Sequence, residues 1–158
     1  MKILVSVDGS EPALDAVRHA LRLHREGLQA NFVLATVQEP TYVYEMLMAP
    51  DAEVLERASA AAGVHALKGG EALFEAAGVP FERVIESGDP AQTLAEIAER
   101  YQCEAVIIGA RGRGSLRSAL LGSVSQAVLH ASSVPVTIVK HVAKEDGSVE
   151  MGRPPAQR

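Results

Sequence analysis

The sequence predicts an α/β fold built on an open parallel sheet with helices on both faces, and three observations carry that expectation. Short apolar runs alternate with amphipathic helical stretches along the chain. Three of the five runs are almost entirely apolar, as strands buried on both faces must be. Turn and cap residues fall between the segments at regular intervals.

The first run, Ile3 to Val7, ends at Asp8-Gly9-Ser10. Ser10 is placed to cap a helix, with Pro12 in its first turn, where a missing N–H costs nothing. Leu14, Val17 and Leu21 recur at helical spacing, Ala13, Ala16 and Ala20 widen the stripe, and Gly27 ends it. Phe32 to Val37 reads as the second strand. Tyr42 to Met48 is too apolar for an idle loop and too irregular for a clear element; packing is favoured over a cover for a ligand. Asp51 is placed to cap an Ala-rich helix reaching about Ala77, which Gly69-Gly70 is expected to interrupt, since each glycine costs about 1 kcal/mol against alanine. Phe81 to Glu86 is a third, less buried strand. Asp89-Pro90-Ala91-Gln92 starts a helix with Leu94, Ile97 and Ala98 on one face. Ala105 to Ile108 is a continuous apolar strand ending at Gly109. A helix from Ser123, with Val124, Ala127, Val128 and Ala131 inward, precedes a last buried strand, Val134 to Val139. Residues 1–142 are expected to form one domain and 143–158 a disordered tail, because the tail has almost nothing to bury.

Composition narrows the function classes. Aromatics are 4% with no Trp, so the core must be Val, Ile, Leu and Ala. A formal charge of −5 argues against a dedicated nucleic-acid binder. The single cysteine, Cys103, excludes an internal disulfide or a multi-Cys zinc site, and its place before a buried strand reads as inert packing. No apolar run approaches the ~18 residues that span a bilayer, and the N-terminal segment turns polar too soon for a signal peptide. A soluble, cytoplasmic protein is the expectation. His19, His24, His65, His130 and His141 have no carboxylate or Cys partner at ligand spacing.

In open parallel sheets ligands bind beyond the carboxyl ends of strands, where the strand order reverses. Two post-strand loops are therefore of interest, Asp8-Gly9-Ser10 and the stretch from Gly109 to Ser123. The second follows a buried strand, feeds a helix N-terminus and carries Gly109, Gly112 and Gly122. Phosphate needs several converging N–H donors, which requires backbone without Cβ in the way. A helix dipole contributes about 0.3–1 kcal/mol, up to ~2 when partly buried. Micromolar affinity needs about 8 kcal/mol, so hydroxyls of Ser123 and Ser125 and a guanidinium have to add to it. Arg111 is the candidate guanidinium; Arg113 and Arg117 read as solvated loop charges. Each of these signals has a plain structural reading, since glycines at strand–helix junctions and Asp8 alone are usually turn residues.

The spacing Gly109-x2-Gly112-x9-Gly122-Ser123 resembles the nucleotide-binding signature of the universal stress protein family, ATP-binding branch. Asp8 at a strand end, Leu121-Gly122-Ser123-Val124-Ser125 and Val134-Pro135-Val136 extend the resemblance from Lys2 to about Lys140. The resemblance implies an adenine nucleotide alpha hydrolase-like sheet of order 3-2-1-4-5 with the site between strands 1 and 4. Asp8 would bond the ribose or adenine side, and Val7, Thr36 and Val37 would line the adenine pocket. Gly109, Gly112, Gly122, Ser123, Val124 and Ser125 would hold ribose and phosphates of ATP. It also implies a homodimer through Val136 to Val139. A triphosphate would bring Mg2+ with it, although no acidic residue announces a metal site. Departures are Ala110, where members often carry Ser, and Ala35, where they often carry His.

An ATP-binding regulatory protein of the stress response is the reading adopted. A slow ATPase or nucleotidyl-transfer enzyme of the same architecture is the first alternative. Ser6-Val7-Asp8-Gly9-Ser10 lacks the paired glycines of such transferases, and there is no Gly-Lys-Ser/Thr. A dimeric interaction scaffold indifferent to nucleotide is the second.

Overall fold

A computed structural model describes residues 1–40, 51–112 and 121–141. The Tyr42–Met48 cluster, Arg113, Arg117 and the tail lie outside the described residues. The elements run β1 (Lys2–Ser6), α1 (Glu11–Arg25), β2 (Asn31–Gln38), α2 (Ala52–Ala76), β3 (Phe81–Ser87), α3 (Pro90–Arg100), β4 (Ala105–Gly109), α4 (Ser123–Ala131) and β5 (Val136–Val139). All pairings are parallel, in the order β3-β2-β1-β4-β5. The order reverses between β1 and β4, as expected.

Helix starts follow the cap residues. Ser10 Oγ accepts from the Ala13 amide at 3.4 Å, Asp51 Oδ1 from Glu53 at 3.0 Å, and Asp89 Oδ1 from Gln92 at 2.9 Å. The Gln92 side chain donates to Glu96 at 3.1 Å.

Period-two alternation splits the core. Ile3, Val5, Phe32, Leu34 and Ile107 face α1 and α2; Leu4, Val33, Ala35, Val106 and Ile108 face α3 and α4. The three phenylalanines of the chain form one row, with Phe32–Phe74 and Phe74–Phe81 centroids 5.3 and 5.2 Å apart. Cys103 is buried beside Ala98 and Val106, and burial pushes its thiol up to about 11. It is a protonated packing group at neutral pH.

Three expectations are corrected. The α2 helix runs unbroken through Gly69-Gly70. A Cβ at Gly69 would stand 3.0 Å from Leu14 Cδ2, and one at Gly70 3.1 Å from Leu34 Cδ1, so these glycines let the helix lie close against α1 and β2. The last strand starts at Val136 rather than Val134 and is not buried: Val136, Ile138 and Val139 are half-buried and Thr137 exposed, because β5 is the sheet edge. On α4, Ala127 and Ala131 are exposed, while Ser125 and Val128 are the buried pair.

Gly63 makes the tightest approach, since a Cβ there would overlap Ile85 Cγ2 on β3. Gly63→Ala gains about 1 kcal/mol of helix propensity, but overpacking costs about 1–3 kcal/mol. The melting midpoint of Gly63→Ala is expected at or below that of wild type; a clear rise would show that α2 can move off the sheet.

Candidate functional site

The chain leaves β1 toward α1 on one face and reaches β4 from α3 on the other. Their carboxyl ends therefore sit side by side with loops that diverge, and a cleft of about 480 Å3 opens between them.

On one wall, Gly9 adopts φ +84° and turns the chain so that Asp8 Oδ1 accepts from both the Ser10 amide (2.9 Å) and the Ser10 hydroxyl (2.5 Å). A positive φ is costly for residues other than glycine. On the other wall, β4 runs out through Gly109, Ala110, Arg111 and Gly112. A Cβ at Gly109 would lie 3.2 Å from the Pro12 carbonyl and 3.3 Å from Ala13 Cα, so the first turn of α1 rests on the end of β4. A Cβ at Gly112 would overlap the Asp8 carboxylate. The Asp8 carboxylate stands where a side chain at residue 112 would be.

Ala110 organises the start of α4. Its amide donates to the Val139 carbonyl at 2.7 Å, and its carbonyl accepts from the Gly122 amide at 2.6 Å. The Ser125 hydroxyl lies 3.1 Å from the Ala110 carbonyl and 2.9 Å from that of Gly122. Gly122 is the N-cap of α4 and provides no side-chain cap, and the first turn holds no acidic residue. The amides of Ser123, Val124 and Ser125 have no acceptor among the described residues. Such first-turn donors, with the helix dipole behind them, favour an anion.

Of the residues anticipated from sequence, Val7, Asp8, Val37, Gly109, Arg111, Gly112, Gly122, Ser123, Val124 and Ser125 line the cleft. Thr36 does not. Alternation along β2 turns it to the α1–α2 face, where it is fully buried and its Oγ1 accepts from Gln38 Nε2 at 3.3 Å. Two further roles change: the Gly122 amide and the Ser125 hydroxyl are already bonded within the protein, so they shape the cradle rather than offer it donors. Sequence reasoning missed Gln38 and Glu39 at the end of β2 and Pro90 and Leu94 at the start of α3. Asp89-Pro90 was legible as a helix start, and its position after a strand end was the available signal for the α3 wall.

The cleft is thus chemically polarised. Open amides and Arg111 occupy the α4 end, carboxylates of Asp8 and Glu39 stand on the β1–β2 side, and Val37, Pro90 and Leu94 provide apolar surface between. Among the described residues no group of three His, Cys, Asp or Glu side chains is placed to hold a metal ion. No helix among them is long and apolar enough to cross a membrane.

Removing the Ser125 hydroxyl tests the cradle's framework. Ser125→Ala is expected to lower unfolding free energy by about 0.5–1.5 kcal/mol in a denaturant titration; an unchanged midpoint would mean the hydroxyl does not tie α4 to Ala110.

The universal stress protein family profile matches residues 1–140. A universal stress protein of Methanocaldococcus jannaschii is 28% identical over 144 residues, covering 91% of this chain and 84% of that protein. Against a Mycobacterium tuberculosis universal stress protein the identity is 44% over 62 residues, 39% of this chain and 20% of the relative's length. A universal stress protein solved in complex with cAMP superposes with a TM-score of 0.58 at 25% identity, covering 88% of this chain and 95% of that one. An Arabidopsis thaliana family protein with AMP bound superposes at 0.66 with 22% identity, covering 94% and 97%, which shows the shared fold. The strand order, the switch-point cleft and the profile match agree: the chain belongs to the universal stress protein family.

Proposed function

We propose that the cleft binds an adenine nucleotide, ATP in the first instance, and that the bound nucleotide regulates the protein's contacts in the stress response. The observation that carries this is the set of open amides at Ser123, Val124 and Ser125 facing a glycine-bare loop across from Asp8. In this reading those amides and Arg111 take the phosphates, Asp8 accepts from ribose hydroxyls, and Val7, Val37, Pro90 and Leu94 flank the base. The cAMP complex of a 25% identical protein supports the ligand class. ATP is placed first because the spacing Gly109-x2-Gly112-x9-Gly122-Ser123 resembles that of the ATP-binding branch of the family. Mg2+ would enter with the triphosphate.

Binding, not turnover, is the proposed role. No histidine lines the cleft among the described residues, and the Asp8 carboxylate already accepts twice from Ser10. Hydrolysis needs a group free to orient water and charges to stabilise the leaving phosphate.

The route from ligand to partner runs through Ala110. The residue that anchors α4 by its carbonyl is bonded by its amide to Val139 on the edge strand. Half-buried Val136, Ile138 and Val139, with Leu129 at 49% exposure on α4, form the apolar margin we assign to a homodimer contact.

ATP at about 100 times its dissociation constant should add ~2.7 kcal/mol, raising the melting midpoint by roughly 5–10 °C for a chain of this size. Gly122→Val, whose Cβ would already sit 3.3 Å from the Ala110 carbonyl, is expected to abolish that shift. No shift with ATP, AMP or cAMP, or an equal shift in the variant, overturns the reading. In sedimentation, Ile138→Lys is expected to convert a dimer to monomer; a dimer that survives the change places the contact elsewhere.

A further inference from the structure

A second, shallower groove of about 330 Å3 lies between α1 and the end of β5. Its α1 wall is Asp15, Arg18, His19, Arg22 and Arg25, and its β5 wall is Val139 and Lys140. Arg18, Arg22 and Arg25 stand at i, i+4 and i+7, one stripe about 10 Å long.

The charges here are not balanced locally. Arg18 is neutralised, donating to Glu11 at 2.6 Å and to Asp15 at 2.8 Å. The second Asp15 oxygen is bonded to His141 Nδ1 at 2.6 Å, so that carboxylate is covered on both sides. Arg22 lies 2.9 Å from His19 Nδ1, a neutral acceptor. Burial and then the Arg22 charge hold His19 below the usual imidazole range, which keeps it uncharged at neutral pH. Arg22 is thus positioned but not neutralised. Arg25 and Lys140 have no carboxylate partner among the described residues. Arginines in a last helical turn are accounted for by the helix dipole. Lys140 is not, for it arrives from another element. In a chain of net charge −5, these three uncompensated cations converge on one groove.

We propose that this groove binds a linear chain of phosphates, at a site separate from the nucleotide cleft. The lining selects that class among anions. Val139 is its one apolar side chain, it has no Phe, Tyr or Trp, and its one ring, the His19 imidazole, is engaged by Arg22 at 2.9 Å. Bases find no broad stacking platform, and a peptide finds no hydrophobic anchor. A phosphate chain requires only spaced cations, and guanidinium forks fit phosphate oxygens in pairs.

The test is titration of the full chain with short inorganic polyphosphate, with AMP, which carries a single phosphate, present in excess to occupy the cleft. Three cations engaged on a flexible polyanion predict a log–log salt slope near −2, a roughly twentyfold loss between 50 and 200 mM salt. Arg22→Ala/Arg25→Ala should reduce the slope to about −0.7 and weaken binding by on the order of tenfold or more, while the ATP-induced melting shift stays at its wild-type value. Lys140→Ala, off the helix, should lose about one cation's share of the slope. Absent binding, an unaltered slope in both variants, or equally tight binding of polyglutamate or oligothymidylate overturns the proposal. A missing ATP shift in wild type would count against the nucleotide cleft and leave the groove result independent.

Discussion

The contact between the Asp8 carboxylate and the bare backbone at Gly112 is the constraint on which the rest of the site depends. Parallel sheets force every connection to cross over, so two neighbouring strands send their loops to opposite faces and leave a crevice between them only where the order reverses. Here that place is β1 beside β4. The two loops come from opposite layers, one entering α1 and the other leading to α4. A methyl group at 112 would overlap the Asp8 carboxylate and force it to turn aside. Where Asp8 stands in the cleft is therefore a consequence of strand order combined with a missing Cβ.

A second dependency joins the site to the sheet edge. The Ala110 peptide unit bonds Val139 through its amide and receives Gly122 and the Ser125 hydroxyl at its carbonyl. Both the N-terminus of α4 and the edge strand β5 are therefore fixed to one residue. Displacing α4's first turn moves a carbonyl that is bonded, through one residue, to β5. Buried, satisfied hydrogen bonds of this sort are stiff, because breaking one leaves an unpartnered group in a region that excludes water.

Most of the fold was legible because its signals are local. Apolar runs bounded by Asp8-Gly9, Gly78-Val79-Pro80 and Asp89-Pro90 specified strands and helix starts within a residue or two. What failed depended on neighbours distant in sequence. Gly69-Gly70 looks like a break until Leu14 and Leu34 are brought against it. Val134 to Val139 looks buried until β5 proves to be the last strand. The resemblance implies both Thr36 and Val37 in the pocket, yet successive residues of a strand point to opposite faces, and of the two only Val37 lines the cleft. Gln38, Glu39, Pro90 and Leu94 carry no motif; their relevance comes from standing beside the switch point, which register alone decides.

The glycine motif itself has a different physical meaning from the one its residues first suggest. Glycines near a phosphate are read as donors, backbone made accessible to a ligand. Here Gly109 accommodates the Pro12 carbonyl and Ala13, Gly112 accommodates Asp8, and Gly122 accommodates the Ala110 carbonyl while its own amide is bonded to it. Each glycine marks a near-collision within the protein. The donors left open among the described residues belong to Ser123, Val124 and Ser125, of which the motif names only Ser123. The spacing is thus the spacing of three steric contacts that fold one loop tightly enough to expose the next three amides. A side chain at any of the three would act first on the shape of the loop, and through that shape on whatever the amides hold.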